Sequence, residues 1–99
     1  MEHIIWQLKN FGKLPPDNAL FGLVEEIGEL SHHLLKKKEK VRGTDEEHDI
    51  GMKDAIGDIM IFAVSFCSAM GWDVDDVLME TWRNVKKRDW KKYPEKGMP

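Results

Sequence analysis

The run Asp54-Ala-Ile-Gly-Asp58-Ile-Met-Ile-Phe-Ala-Val-Ser-Phe-Cys-Ser-Ala69 decides the fold class of this 99-residue chain. From Ile59 to Cys67 it is apolar on nearly every side, with no alternation of polar and apolar residues, and Gly71 supplies a left-handed stop. The spacing predicts a helix from roughly Glu46 to Ala69, preceded by the break and N-cap residues Gly43-Thr44-Asp45. A helix that is apolar all round must be covered all round. Its apolar part is far shorter than the roughly 20 residues a bilayer requires and follows directly on Asp58, so it reads as a core helix. Three neighbouring helices in so short a chain scarcely cover it, which implies a subunit interface.

Working outward, apolar positions recur every three or four residues throughout. A short first helix spans about Glu2 to Phe11, ended by Gly12 and Pro15-Pro16. Leu20, Leu23, Val24, Ile27, Leu30, Leu34 and Leu35 then make one stripe on a second helix from about Asn18 to Lys40, with Asp17 as its expected cap. Asp73 opens a fourth helix that carries Val77, Leu78, Trp82 and Val85 and is expected to reach Asp89. The expected fold is all-α: one domain over residues 1–99, an antiparallel helical bundle of about four helices completed by a second copy of itself, with a basic C-terminal end over 83–99.

Composition bounds the function. With 41% hydrophobic and 33% charged residues the chain reads as soluble and globular, and its length excludes a two-domain enzyme. Fifteen Lys and Arg against eighteen Asp and Glu, a net charge of -3, argue against a surface built for nucleic acid or anionic lipid. The single cysteine, Cys67, fits a reducing compartment, and the start Met-Glu-His-Ile-Ile-Trp lacks the basic and apolar segments of a signal peptide. A cytoplasmic protein with no membrane partner is the expectation.

The chemistry-bearing residues are acidic. The second helix carries Glu25-Glu26-Ile-Gly28-Glu29, and the third carries Asp54-Ala-Ile-Gly57-Asp58. Glu26 and Glu29 stand at i,i+3, and Glu25 with Glu29 and Asp54 with Asp58 at i,i+4, so each set shares a helical face. No Lys or Arg lies three or four residues from any of these five acids. Each like-charge pair costs a few tenths of a kcal/mol, about 0.2–0.5, on an isolated helix. A hard divalent ion such as Mg²⁺ offsets that cost, because it takes carboxylate oxygens and keeps waters and phosphate oxygens as its other ligands. The competing reading is a solvated acidic face. Gly28 and Gly57, costly inside helices, suggest that the two backbones approach one another at the acids.

Glu25-Glu26-x-x-Glu29, followed a helix later by Asp54-Ala-Ile-Gly-Asp58-Ile, resembles the signature of the MazG-like nucleotide pyrophosphohydrolases of the all-α NTP pyrophosphatase superfamily. The resemblance extends from Trp6 and Asn10-Phe11-Gly12 to the Trp82-x-x-Val85-x-x-Arg88-Asp89-Trp90 ending. It implies a helical homodimer or homotetramer that uses Mg²⁺, with Mn²⁺ able to substitute, to cleave a nucleoside triphosphate into monophosphate and pyrophosphate. It also implies Glu26, Glu29 and Asp58 as metal ligands, and Asn84 and Lys87 as substrate contacts within the basic end. Trp6 is a candidate to stack on the base. The usual second motif is Glu-x-x-Asp, and its Glu falls on Ala55, while the extra acid is Asp54 on the Asp58 side of the helix. Asp54 is thus either a direct ligand or one that acts through water. Glu25, turned about 100° from Glu26, is the candidate supporting ligand or general base.

Two other readings stay open. The displaced acid fits a helical dimer that keeps the scaffold as a binding or regulatory module without catalysis. Glu29-x-x-His32 and Asp45-x-x-His48 together resemble the Glu-x-x-His pairs of di-iron bundles, although the second begins with Asp.

Overall fold

The computed structural model describes residues 2–99 as four α-helices, with no strand among the described residues. They are α1 (Glu2–Phe11), α2 (Pro16–Glu39), α3 (Asp45–Ala69) and α4 (Val74–Val85). The fold is all-α, but one chain does not close a bundle. Only α2 and α3 pack along their length; α1 and α4 each touch α3 alone. The axis turns by 105° between α3 and α4. No single helix is long and apolar enough to cross a membrane.

The α2–α3 hairpin owes its shape to a closely specified turn. Lys40 takes a left-handed conformation (φ 60°), and its N–H and that of Val41 donate to the carbonyls of Lys37 and Lys36, closing the helix end. Thr44 caps α3, accepting from the Glu47 N–H at 3.1 Å and donating to Glu47 Oε1 at 3.2 Å. Lys37–Asp49 (2.6 Å) and Lys40–Asp45 (2.8 Å) ion pairs cross between the helices. The Lys40 ammonium holds the Asp45 carboxyl below its ordinary value, and Asp49 holds the Lys37 ammonium above its own.

Several expected boundaries shift, each for a local reason. The second helix starts at Pro16, whose missing N–H costs nothing there, and Asp17 sits in the first turn without capping it. The fourth helix ends at Val85 instead of Asp89. Beyond it the Asp89 carboxylate accepts from the Lys91 and Lys92 amides, and the Asp89 N–H donates to Gly97 O at 2.7 Å, so the chain folds back. At the start of α4, Asp73 caps as expected, accepting from the Asp75 and Asp76 amides.

Close approach occurs at other glycines than those expected. A Cβ at Gly28 or Gly57 would meet nothing within 4 Å, so neither marks a backbone contact. At Gly22 it would lie 2.6 Å from the Phe62 ring, which seats this α3 residue on α2.

The buried apolar core is small: Ala19, Ala55 and Cys67. Met60 and Ile61 of α3 and Leu78 and Trp82 of α4 are exposed, while the rest of the Ile59–Cys67 run is buried or half-buried, so a single chain covers the apolar α3 only in part. The accessible surface is 7969 Å², against about 5,800 Å² for a compact monomer of this mass. The radius of gyration is 17.4 Å, against about 13 Å for a compact domain.

Gly22→Ala is expected to lower the unfolding free energy by about 1 kcal/mol, because the Phe62 clash outweighs the gain in helix propensity. Gly28→Ala should raise it by up to about 1 kcal/mol. Urea unfolding of the two variants tests the contrast in sign.

Candidate metal and substrate site

Pairing α2 antiparallel to α3 brings the two acidic sets onto one seam. Glu26 and Asp58 are half-buried there, while Glu25, Glu29 and Asp54 are exposed. The Glu26 carboxyl is pushed above its ordinary value, first by desolvation and then by the charges of Asp58, Asp54, Glu29 and Glu25. The other four predicted acids therefore act on Glu26, with Asp58 and Asp54 of the facing helix as its strongest charged neighbours. Among the described residues no Lys or Arg contributes to that environment.

Among the described residues no three His, Cys, Asp or Glu side chains are drawn together closely enough to enclose an ion. The donor set still suits a hard ion: it consists of carboxylates alone, and Mg²⁺ is commonly held by one or two of these with waters and substrate phosphates completing its shell. Glu26 and Asp58, one from each helix, are the residues that would hold such an ion. Glu29 and Asp54 flank them in chain order on the same faces.

Ala55, where the resemblance places an acid, is only 2% exposed. A carboxylate at that position would be buried with like charges nearby, whereas Asp54, one residue earlier, is exposed.

Along the same seam lies a cavity of about 200 Å³, lined by Gln7, Asn18, Ala19, Phe62 and Ser65 among others. Phe62 is one turn beyond Asp58 on α3, and Asn18 is two turns before Glu26 on α2, a rise of about 12 Å. Ser65 donates to Gln7 Oε1 at 3.0 Å and is buried. These polar groups went unremarked in the sequence because Gln7 and Ser65 are 58 positions apart and no spacing rule links them. Trp6 does not line the cavity; it is 58% exposed and packs edge-on against Phe11 with centroids 5.7 Å apart.

Asn84 and Lys87 are exposed, Lys87 lying past the end of α4, and α4 makes no packing contact with α2. Within one chain they are not brought to the acids. The pattern suggested for a di-iron centre dissolves: Glu29 meets His33 and not His32, Asp45 pairs with Lys40, and both ring nitrogens of His48 are engaged.

The chain matches no protein-family model, no curated protein and no solved structure.

Because the folded state raises the Glu26 pKa, it binds that proton more tightly than the unfolded chain does. Stability should therefore fall as pH rises from the ordinary glutamate range through the raised value. Glu26→Gln removes the repulsion and is expected to raise Tm at neutral pH, with the advantage shrinking toward acid pH. Thermal melts of both proteins across that range, in chelator, provide the check.

Proposed function

We propose that this chain is a Mg²⁺-dependent nucleoside triphosphate pyrophosphohydrolase that works as a homodimer or homotetramer, in keeping with a cytoplasmic protein. The observation that carries the reading is the convergence of four carboxylates, Asp58, Asp54, Glu29 and Glu25, from two helices on a fifth, Glu26. When bound, Mg²⁺ neutralises phosphate oxygens and lowers the pKa of a coordinated water. Glu26 and Asp58 would hold it, with Glu29 and Asp54 beside them. Glu25, next to Glu26 and about 100° from it around the helix, would orient or deprotonate the attacking water. Water adds at the α-phosphorus, the bond to the bridging oxygen breaks, and monophosphate and pyrophosphate leave. The cavity further along the seam, which begins one turn beyond Asp58 at Phe62, offers amide and hydroxyl groups that can meet the polar edges of a base.

Self-association follows from area. The surface in excess of a compact monomer is roughly 2,000 Å² per chain, which suits an obligate dimer interface. It also gives Asn84, Lys87 and the basic end a route to the acids, from a second copy. The protein should sediment as a dimer or tetramer; a monomer at micromolar concentration would contradict this.

The second reading, a binding or regulatory module without turnover, is favoured by the buried Ala55 at the position of the expected acid. Incubation with canonical and modified (d)NTPs and Mg²⁺ separates the two. The hydrolase yields monophosphate plus pyrophosphate, and Glu26→Gln or Asp58→Asn lowers the rate more than about 100-fold while the helical signal persists. No product from any nucleotide favours the module.

A further inference from the structure

The net charge of -3 conceals a separation along the chain. Residues 83–99 carry seven Lys and Arg against two acids, whereas residues 1–82 carry eight against sixteen. All seven cations of the C-terminal part are exposed, and among the described residues none of them makes an ion pair. Six of them stand beyond the end of α4, on a segment that is folded although it is not helical. The Asp89 N–H donates to Gly97 O at 2.7 Å, the Tyr93 N–H to Asp89 O at 2.8 Å and the Gly97 N–H to Tyr93 O at 2.8 Å. The Asp89 carboxylate adds its bonds from the Lys91 and Lys92 amides. Gly97 is left-handed (φ 74°), and a Cβ there would lie 2.9 Å from Trp90 Cε2 and 3.0 Å from Arg88 Cβ, so the indole rests on bare backbone.

This loop closes on itself with little burial. Gly97 is buried, but Trp90 stays 52% exposed and Met98 50%. Closure therefore gains little from the hydrophobic effect, and its result is to fix where the rings and ammonium groups stand. Aromatic and basic groups are interleaved on it. Lys92 Nζ lies 5.5 Å from the Tyr93 ring centroid. A cavity of about 410 Å³ has Tyr93, Pro94 and Met98 among its apolar lining and Lys92 and Lys96 among its charged lining. Flat apolar surfaces beside ammonium groups match a nucleobase and the phosphate that adjoins it. The cations outnumber the charges of a single triphosphate and suit a chain of repeating phosphates. A lipid surface would match the charge too, but its anchor is a continuous apolar face, and here Trp90, Tyr93 and Met98 are separated from one another by lysines.

We propose that the loop over residues 88–98 binds single-stranded nucleic acid, with Trp90 and Tyr93 as stacking surfaces and Arg88, Lys91, Lys92 and Lys96 as phosphate contacts. The proposal goes beyond the hydrolase reading and does not rest on it, since it needs neither a metal nor any of the five acids. Its test is the fluorescence anisotropy of a labelled DNA strand of about 12 nucleotides, titrated with the whole protein in chelator beside the duplex of the same sequence. The strand is expected to bind more tightly than the duplex. Log affinity should fall against log salt with a slope of about -3, as for four neutralised phosphates of a single strand. Combining Lys91→Gln, Lys92→Gln and Lys96→Gln should flatten that slope by about 2. Trp90→Ala is expected to weaken binding of the strand about tenfold, and Trp90→Phe to recover most of the loss, with circular dichroism as the control for folding. No binding of the strand at low salt, or a duplex bound as tightly with Trp90→Ala without effect, overturns the proposal. A nucleoside triphosphate that displaces the strand at equal phosphate concentration also overturns it, because the site then takes one nucleotide. Capture by phosphatidylserine vesicles without binding of the strand overturns it in favour of a lipid surface.

Discussion

Mutual repulsion among carboxylates at the α2–α3 seam is the constraint on which the remaining structure turns. Glu26 is partly desolvated beside the charges of Asp58, Asp54, Glu29 and Glu25, with no Lys or Arg among the described residues to compensate. Left alone, such a cluster weakens the hairpin, so something else must hold the helices together. The specified turn, the Thr44 cap and the Lys37–Asp49 and Lys40–Asp45 pairs do this at one end, and Phe62 seated on Gly22 does it at the other. The acids lie between these two clamps. A hairpin fixed at both ends can carry unfavourable charge in its middle until a ligand offsets it.

The incompleteness of the single chain follows from the same economy of length. Two long helices form the seam, and the short α1 and α4 are too few to cover the apolar half of α3. In the proposed dimer a second copy would cover the exposed Met60 and Ile61 of α3 and Leu78 and Trp82 of α4.

Much of this was legible in the sequence. Helical periodicity located all four helices, and the end of α1 was legible because Gly12 and Pro15-Pro16 leave little freedom there. The five acids stood out through the absence of Lys or Arg at helical spacing. What the sequence could not show depends on contacts between distant positions. Gly22 and Gly51, not Gly28 and Gly57, receive the facing side chains, since which face of a helix meets its neighbour depends on the packing of both. His48 was noticed only through a local motif that named His32 and not its structural neighbour His33, because a contact across fifteen residues leaves no periodic trace. The end of α4 was overestimated because Asp89 looked like a helical residue, while its carboxylate in fact organises the following turn.

The most direct measurement of the central claim is the loss of backbone amide signals by nuclear magnetic resonance as Mn²⁺ is titrated into the protein. The account requires the earliest and strongest broadening at residues 25–29 and 54–58 together, and its disappearance when Glu26→Gln and Asp58→Asn are combined. Broadening that begins instead at the acidic helix starts, Asp45–Glu47 or Asp73–Asp76, or that is unchanged in the double variant, would contradict it.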